Sequence, residues 1–139
     1  MKFFLIPMLI MSLTGCSNSN DATLTPQNQA APQKAEYKKI TPEQAKKMID
    51  EKTDIILLDV RTDAEFKEKR IANSILIPDY EIKAKAEEIL KDKNAAILVY
   101  CRSGRRSASA SQQLIAMGYQ NIYDFGGIID WPYETIGGE

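Results

Sequence analysis

The chain has 139 residues, 44% of them hydrophobic, enough for one domain with a real core and too few for two. Lys plus Arg number 18 against 19 for Asp plus Glu, so overall charge points to no nucleic-acid partner. Histidine is absent, which excludes Ser-His-Asp and Cys-His catalysis and every histidine-containing zinc site.

In chain order, residues 1–15 read as a targeting segment. Lys2 supplies a brief positive region, and Phe3 to Leu13 is mostly apolar over about the length of a signal-peptide core, too short to span a bilayer. The run ends in Leu13-Thr14-Gly15-Cys16, which resembles the bacterial lipoprotein box and implies cleavage before Cys16, with a lipid on its sulfur. The expected location is therefore a cell membrane, lipid-anchored on the extracytoplasmic side. Residues 16–36 are polar, carry two prolines and bury too little to fold, so they read as a flexible tether. With Cys16 acylated, Cys101 is left as the single free thiol, unable to form an internal disulfide.

The domain proper is expected over residues 37–139. Tyr37 to Ile40 suits a short edge strand. Thr41-Pro42-Glu43-Gln44 combines an N-cap, a first-turn proline and a capping-box glutamine, and Ala45, Met48 and Ile49 give that helix its apolar stripe. Asp54 to Val60 is a buried strand, and Thr62 with Glu65 opens a second, short helix. Asn73 to Ile77 reads as a third strand stopped by Pro78. From Asp79 to Lys91 the residues Ile82, Ala86, Ile89 and Leu90 share one helical face, with Glu81–Lys85 and Glu87–Lys91 pairs on the other. Ala96 to Tyr100 is the fourth strand, Ser107 to Met117 a helix capped by Ser107 and ended at Gly118, and Ile122 to Phe125 the fifth strand. Gly126-Gly127 is expected to turn into a short helix holding Trp131 in the core.

Strands alternating with helices through short loops predict an α/β fold, a mainly parallel five-stranded sheet covered on both faces. Sites in such sheets lie outside the carboxyl ends of the strands. Cys101 follows one such end, and Asp59 and Arg61 sit at another, where they can face the same crevice. Between Cys101 and the helix come Arg102, Ser103, Gly104, Arg105, Arg106 and Ser107, with Gly104 the natural place for a positive φ. A loop of this kind turns backbone N–H groups inward and is backed by the helix dipole, so it receives anions. Such surroundings lower a cysteine pKa from about 8.5 to roughly 3.5–7.5 and favour the nucleophilic thiolate.

Three motifs taken together, LLDVRTDAEF at 57–66, CRSGRRS at 101–107 and FGGIIDW at 125–131, resemble the single-domain rhodanese-like sulfurtransferases over residues 37 to 133. The resemblance implies the rhodanese-like three-layer fold and a persulfide on Cys101. The sulfur would come from a small anionic donor such as thiosulfate and pass to cyanide, a small thiol or a protein thiol. It also implies that the amides of residues 102–106 cradle the transferred sulfur, that Arg106 closes the loop, and that Asp59 and Arg61 support the loop or face substrate. No metal or cofactor is required, and the membrane contact runs through the lipid on Cys16. Lys69, Arg70 and Asn73 stand where the family usually has Gly-His and a further glycine.

Three alternatives compete. A phosphatase or arsenate reductase of the related fold needs C-x5-R, whereas here Arg106 makes the loop C-x4-R, a tighter nest suited to a sulfur-sized group. A low-turnover persulfide carrier at the membrane would also need Cys101, and so would a redox-responsive dimer joined through that cysteine.

Overall fold

Unbroken apolar runs form the central strands, and each is followed by a helix or turn that covers one face of the sheet. In the computed structural model, which describes Gly15 and residues 35–138, the strands are β1 Lys38–Lys39, β2 Ile56–Asp59, β3 Ile75–Leu76, β4 Ala96–Cys101 and β5 Asn121–Gly127. They form one sheet in the order β1-β5-β4-β2-β3, every neighbouring pair parallel. The helices are α1 Pro42–Glu51, α2 Asp63–Glu68, α3 Ile82–Ile89 and α4 Arg105–Ala116. The expected α/β class and parallel five-stranded sheet are thus present. The expected signal peptide apart from Gly15, the expected lipid site Cys16 and nearly all of the tether fall outside the described residues.

Side chains alternate across the sheet and build two cores. On one face Leu58, Val60, Ile97, Val99 and Cys101 pack with Ile82 and Ala86 of α3 and Ala110 and Leu114 of α4. On the other, Leu57, Leu98, Tyr100 and Phe125 pack with Ala45 of α1 and with Ile128 and Trp131 beyond β5. Trp131 is core, as its position predicts. Two capping boxes fix where the first helices start. Thr41 accepts from the Gln44 amide while Gln44 accepts from the Thr41 amide, and Thr62 with Glu65 repeats the arrangement.

Several boundaries differ from expectation for local reasons. The third strand shrinks to two residues because Ser74 N–H and Oγ–H both bond the Ile71 carbonyl, turning residues 71–74. Asn73 holds φ +64 in that turn, so it occupies the left-handed position that asparagine tolerates better than most residues. The helix expected over 79–91 begins as a 3-10 turn, Asp79–Glu81, and ends at Ile89. Leu90, just past that end, fills the core position, which leaves Ile89 exposed. Glu81 pairs with Lys85 as expected, but Glu87 pairs with Lys93 rather than Lys91. Gly126 and Gly127 belong to β5, and the short 3-10 turn starts only at Ile128.

Candidate active site

Parallel pairing aligns the carboxyl ends of β2, β3, β4 and β5 along one edge, with Cys101 ending β4 in the middle. Cys101 is only 1% exposed and lies beneath the loop that follows it. Gly104 adopts φ +101, the conformation that lets the chain double back, and its N–H donates to Cys101 Sγ at 2.9 Å. Helix α4 then starts at Arg105 with Gly104 as its N-cap residue. The sulfur therefore sits against the amino end of a twelve-residue helix, with a main-chain donor aimed at it.

Ser107 is not the helix cap that its sequence position suggested. It is already inside α4, and its buried hydroxyl donates to Asp124 Oδ1 at 2.7 Å and to the Gly104 carbonyl at 3.0 Å. Asp124 Oδ1 also accepts from Gly126 N–H at 3.0 Å, so one buried carboxylate ties the first turn of α4 to β5. The β4–β5 register shifts between Val99 and Cys101, placing Cys101 opposite Gly127. Such a bulge re-aims the backbone beside a site. Gly127 lies directly under the loop, where a Cβ would overlap the Arg102 carbonyl oxygen and stand 2.5 Å from Ser103 Cα. The Arg102 carbonyl accepts from Ile129 N–H, so the loop is stapled to the chain leaving β5.

The three loop arginines are not equivalent. Arg106 forms a two-point ion pair with Glu65, Nη1 to Oε2 and Nη2 to Oε1, each at 2.8 Å. The Arg106 guanidinium holds the Glu65 carboxyl down at about 2, from an ordinary 4.5, with partial burial opposing it. The same contact raises Arg106. Arg102, Ser103 and Arg105 are exposed, and neither of these two arginines has an ion-pair partner among the described residues.

Asp59 and Arg61 do not share the crevice with Cys101. Asp59 pairs in register with Tyr100, whose side chain belongs to the opposite core, so its carboxylate lies on the other face of the sheet. Both residues are buried and close on each other: Arg61 Nε and Nη2 donate to the Asp59 carboxylate, the shortest contact being 2.6 Å. Arg61 also donates to the Lys69 carbonyl and lies over the Tyr100 ring, while Tyr100 Oη accepts from Ile71 N–H. The pair braces the segment between α2 and β3. Arg70 lies over Phe66, and its backbone bridges to Ile136.

Sequence reasoning missed Glu65 as the partner of Arg106, having assigned it only to a capping box. It also missed Asp124, whose signal was a carboxylate near the carboxyl end of an otherwise apolar strand. Among the described residues, no cluster of three or more His, Cys, Asp or Glu side chains could hold a metal ion.

These features define an α/β protein whose strand-to-helix loop, carrying three arginines, holds one buried cysteine against a main-chain N–H at the amino end of a helix. A family model described as the rhodanese-like domain matches residues 41–132. Similar proteins include a sulfurtransferase of Allochromatium vinosum, 36% identical over 60% of this chain and 77% of that protein. Thiosulfate sulfurtransferase PspE of Escherichia coli K12 is 34% identical over 58% of this chain and 78% of its own length. Thiosulfate sulfurtransferase GlpE of Coxiella burnetii is 32% identical over 68% and 87%. Among solved structures, a rhodanese with anions from E. coli aligns with TM-score 0.57 and 31% identity over 60% of this chain and 99% of that one. A rhodanese-related protein of Thermoplasma volcanium aligns with TM-score 0.62 and 30% identity over 72% and 98%. The chain belongs to the rhodanese-like family, as a single-domain sulfurtransferase of the rhodanese type.

Proposed function

We propose that the chain moves a sulfane sulfur from a small anionic donor such as thiosulfate to a thiophilic acceptor through a persulfide on Cys101. The observation that carries this reading is the 2.9 Å contact from Gly104 N–H to Cys101 Sγ, at the amino end of α4. Cys101 attacks the outer sulfur of thiosulfate as the thiolate, the S–S bond of the donor breaks, and sulfite leaves with the bonding pair. The loop amides stabilise the negative sulfur at each stage, as an oxyanion hole stabilises oxygen. Cyanide or a thiolate then takes the outer sulfur and returns Cys101 as thiolate. No net oxidation occurs in the cycle.

The loop's cations divide the work. Arg102 and Arg105 draw the donor, while Arg106, with both terminal nitrogens committed to Glu65, keeps the loop closed. That commitment also favours sulfur over phosphate chemistry, because a phosphatase arginine must offer its fork to substrate oxygens. A redox dimer through Cys101 is disfavoured by the sulfur's burial, since a disulfide needs the two Cα atoms within roughly 4.4–6.8 Å. The reading includes lipid attachment at Cys16, which would hold the domain at the membrane on its tether.

Intact-mass analysis of the protein after thiosulfate, and again after cyanide, tests this. A gain of one sulfur atom that cyanide removes, lost in Cys101→Ser, is expected. No gain from thiosulfate but a gain from a persulfide donor would make the protein a relay instead.

A further inference from the structure

Resting on the sulfur-transfer reading above, we propose that Asp124 is a positioning residue for that reaction, whose Oδ1 holds the Gly104 N–H on the Cys101 sulfur through Ser107 and Gly126. Asp124 is buried and has no ion-pair partner among the described residues. Nothing in the transfer steps uses it. A buried carboxylate without a cation is costly unless hydrogen bonds replace its water, and here two donors meet one oxygen. Ser107 Oγ–H reaches Oδ1 at 2.7 Å and Gly126 N–H at 3.0 Å.

Both donors bear on the same glycine. Ser107 Oγ stands 3.0 Å from the Gly104 carbonyl, which also accepts from Ala108 N–H, so the first turn of α4 closes on Gly104. The hydroxyl has a single proton, and Asp124 is the nearer acceptor and the stronger one, which fixes the serine between strand and helix. On the other side the Gly126 backbone lies beside Gly104, where a Cβ added to Gly104 would stand 3.4 Å from Gly126 Cα. Gly126 in turn is held there by Asp124. Between the paired positions Val99–Asp124 and Cys101–Gly127, Phe125 and Gly126 stand against Tyr100 alone, which makes a bulge on β5. The Asp124 carboxylate accepts from the N–H two residues on and so closes that bulge, with Gly126 at φ +88 inside it.

The consequence is a constraint on the main-chain donor at the sulfur. Gly104 doubles the chain back at φ +101 with its N–H 2.9 Å from Cys101 Sγ, and a hydrogen bond weakens steeply once its donor turns aside. Glycine has no side chain to resist such a turn. Ser107 at its carbonyl and Gly126 at its Cα supply the resistance, and both are tied to Asp124. A main-chain donor stabilises negative charge on sulfur only while its aim is kept. Asp124 therefore acts on the rate of sulfur transfer and not on donor capture, which falls to Arg102 and Arg105.

The test compares Asp124→Ala, Asp124→Asn and Ser107→Ala with Arg61→Ala in the full-length protein, with thiosulfate and cyanide as substrates and activity scored per folded molecule. Asp124→Ala is expected to lose about tenfold in kcat while KM for thiosulfate stays within about twofold, because the lost support is felt in the transition state. Asp124→Asn keeps an oxygen for both donors and should recover kcat to within about threefold of wild type. Ser107→Ala should lose about threefold, and adding it to Asp124→Ala should cost nothing further, since the two residues act as one support. In amide proton–nitrogen spectra the Gly104 resonance should move in Asp124→Ala and return in Asp124→Asn. It should stay in place in Arg61→Ala, which destabilises the protein from the other face of the sheet. A wild-type kcat in folded Asp124→Ala, an asparagine variant as slow as the alanine one, or an unmoved Gly104 resonance would overturn the proposal. Should Asp124→Ala fail to fold, Ser107→Ala decides, and an unchanged kcat and Gly104 resonance there would overturn it. Failure of the wild type to move sulfur from thiosulfate to cyanide would overturn the sulfur-transfer reading, and the Gly104 resonance, read without turnover, keeps the two failures apart.

Discussion

Glu65 and Arg106 lie forty-one positions apart in the chain and meet through two parallel hydrogen bonds of 2.8 Å. The same carboxylate accepts from Thr62 N–H and Oγ–H, so the first turn of α2 and the first turn of α4 share one anchor. The loop around Cys101 is therefore held shut from outside its own sequence.

That anchor has a pH signature. The carboxyl of Glu65 is lowered from 4.5 to about 2 in the folded protein, chiefly by Arg106. A lowered folded-state pKa contributes stability above the unfolded value, and this is lost as pH falls from about 4.5 toward 2. Glu65→Gln keeps an oxygen for the capping box but removes the charge. It should cost about 1 kcal/mol at neutral pH, with the gap to wild type narrowing in urea titrations between pH 5 and 3. A gap that stays constant with pH would assign the loss to packing instead.

Gly127 should be the least replaceable glycine of the site. A Cβ there meets main-chain atoms of Arg102 and Ser103, which cannot swing aside as a side-chain tip would. Gly127→Ala is expected to destabilise by about 1–3 kcal/mol and to displace the loop, lowering sulfur transfer more than the loss of folded protein accounts for. Gly126→Ala meets no atom within 4 Å but sits at φ +88, so about 1–2 kcal/mol of strain with a largely intact site is expected. Thermal melts with activity per folded molecule separate the two.

The Asp59–Arg61 pair should matter for folding rather than chemistry. Arg61→Ala strands a buried carboxylate and frees the Lys69 carbonyl, a change worth about 3–5 kcal/mol. Whatever fraction remains folded should transfer sulfur at the wild-type rate, because the pair lies across the sheet from Cys101. A kcat loss in fully folded Arg61→Ala would contradict that placement.

How much of this was legible beforehand follows from the range of each interaction. The capping boxes of Thr41 and Thr62, the positive φ at Gly104 and the presence and order of five strands, though not all of their ends, are written in residues a few positions apart, and they read correctly. Ser107 misled because serine before a helix is usually a cap, yet here Gly104 already supplies the turn and the hydroxyl goes to Asp124. That carboxylate comes from another strand, as Glu65 comes from another helix. Asp59 and Arg61 misled for a different reason. A position at a strand end fixes the edge of the sheet, but the pleat decides the face, and the register with Tyr100 put them opposite the cysteine.

The last prediction concerns the two exposed arginines. If Arg102 and Arg105 attract the donor through charge, then Arg102→Gln and Arg105→Gln should each raise KM for thiosulfate several-fold while changing kcat little. An exposed cation acts on an approaching anion through water and salt, so its effect is screened over roughly 8–10 Å at ordinary ionic strength. The wild-type kcat/KM for thiosulfate should therefore fall as salt rises from 20 to 300 mM, and the double variant should respond only weakly. Stopped-flow traces of the first half-reaction, with sulfite release as signal, isolate donor capture from acceptor turnover. A salt response left unchanged in the double variant would move donor attraction from these side chains to the helix dipole and loop amides.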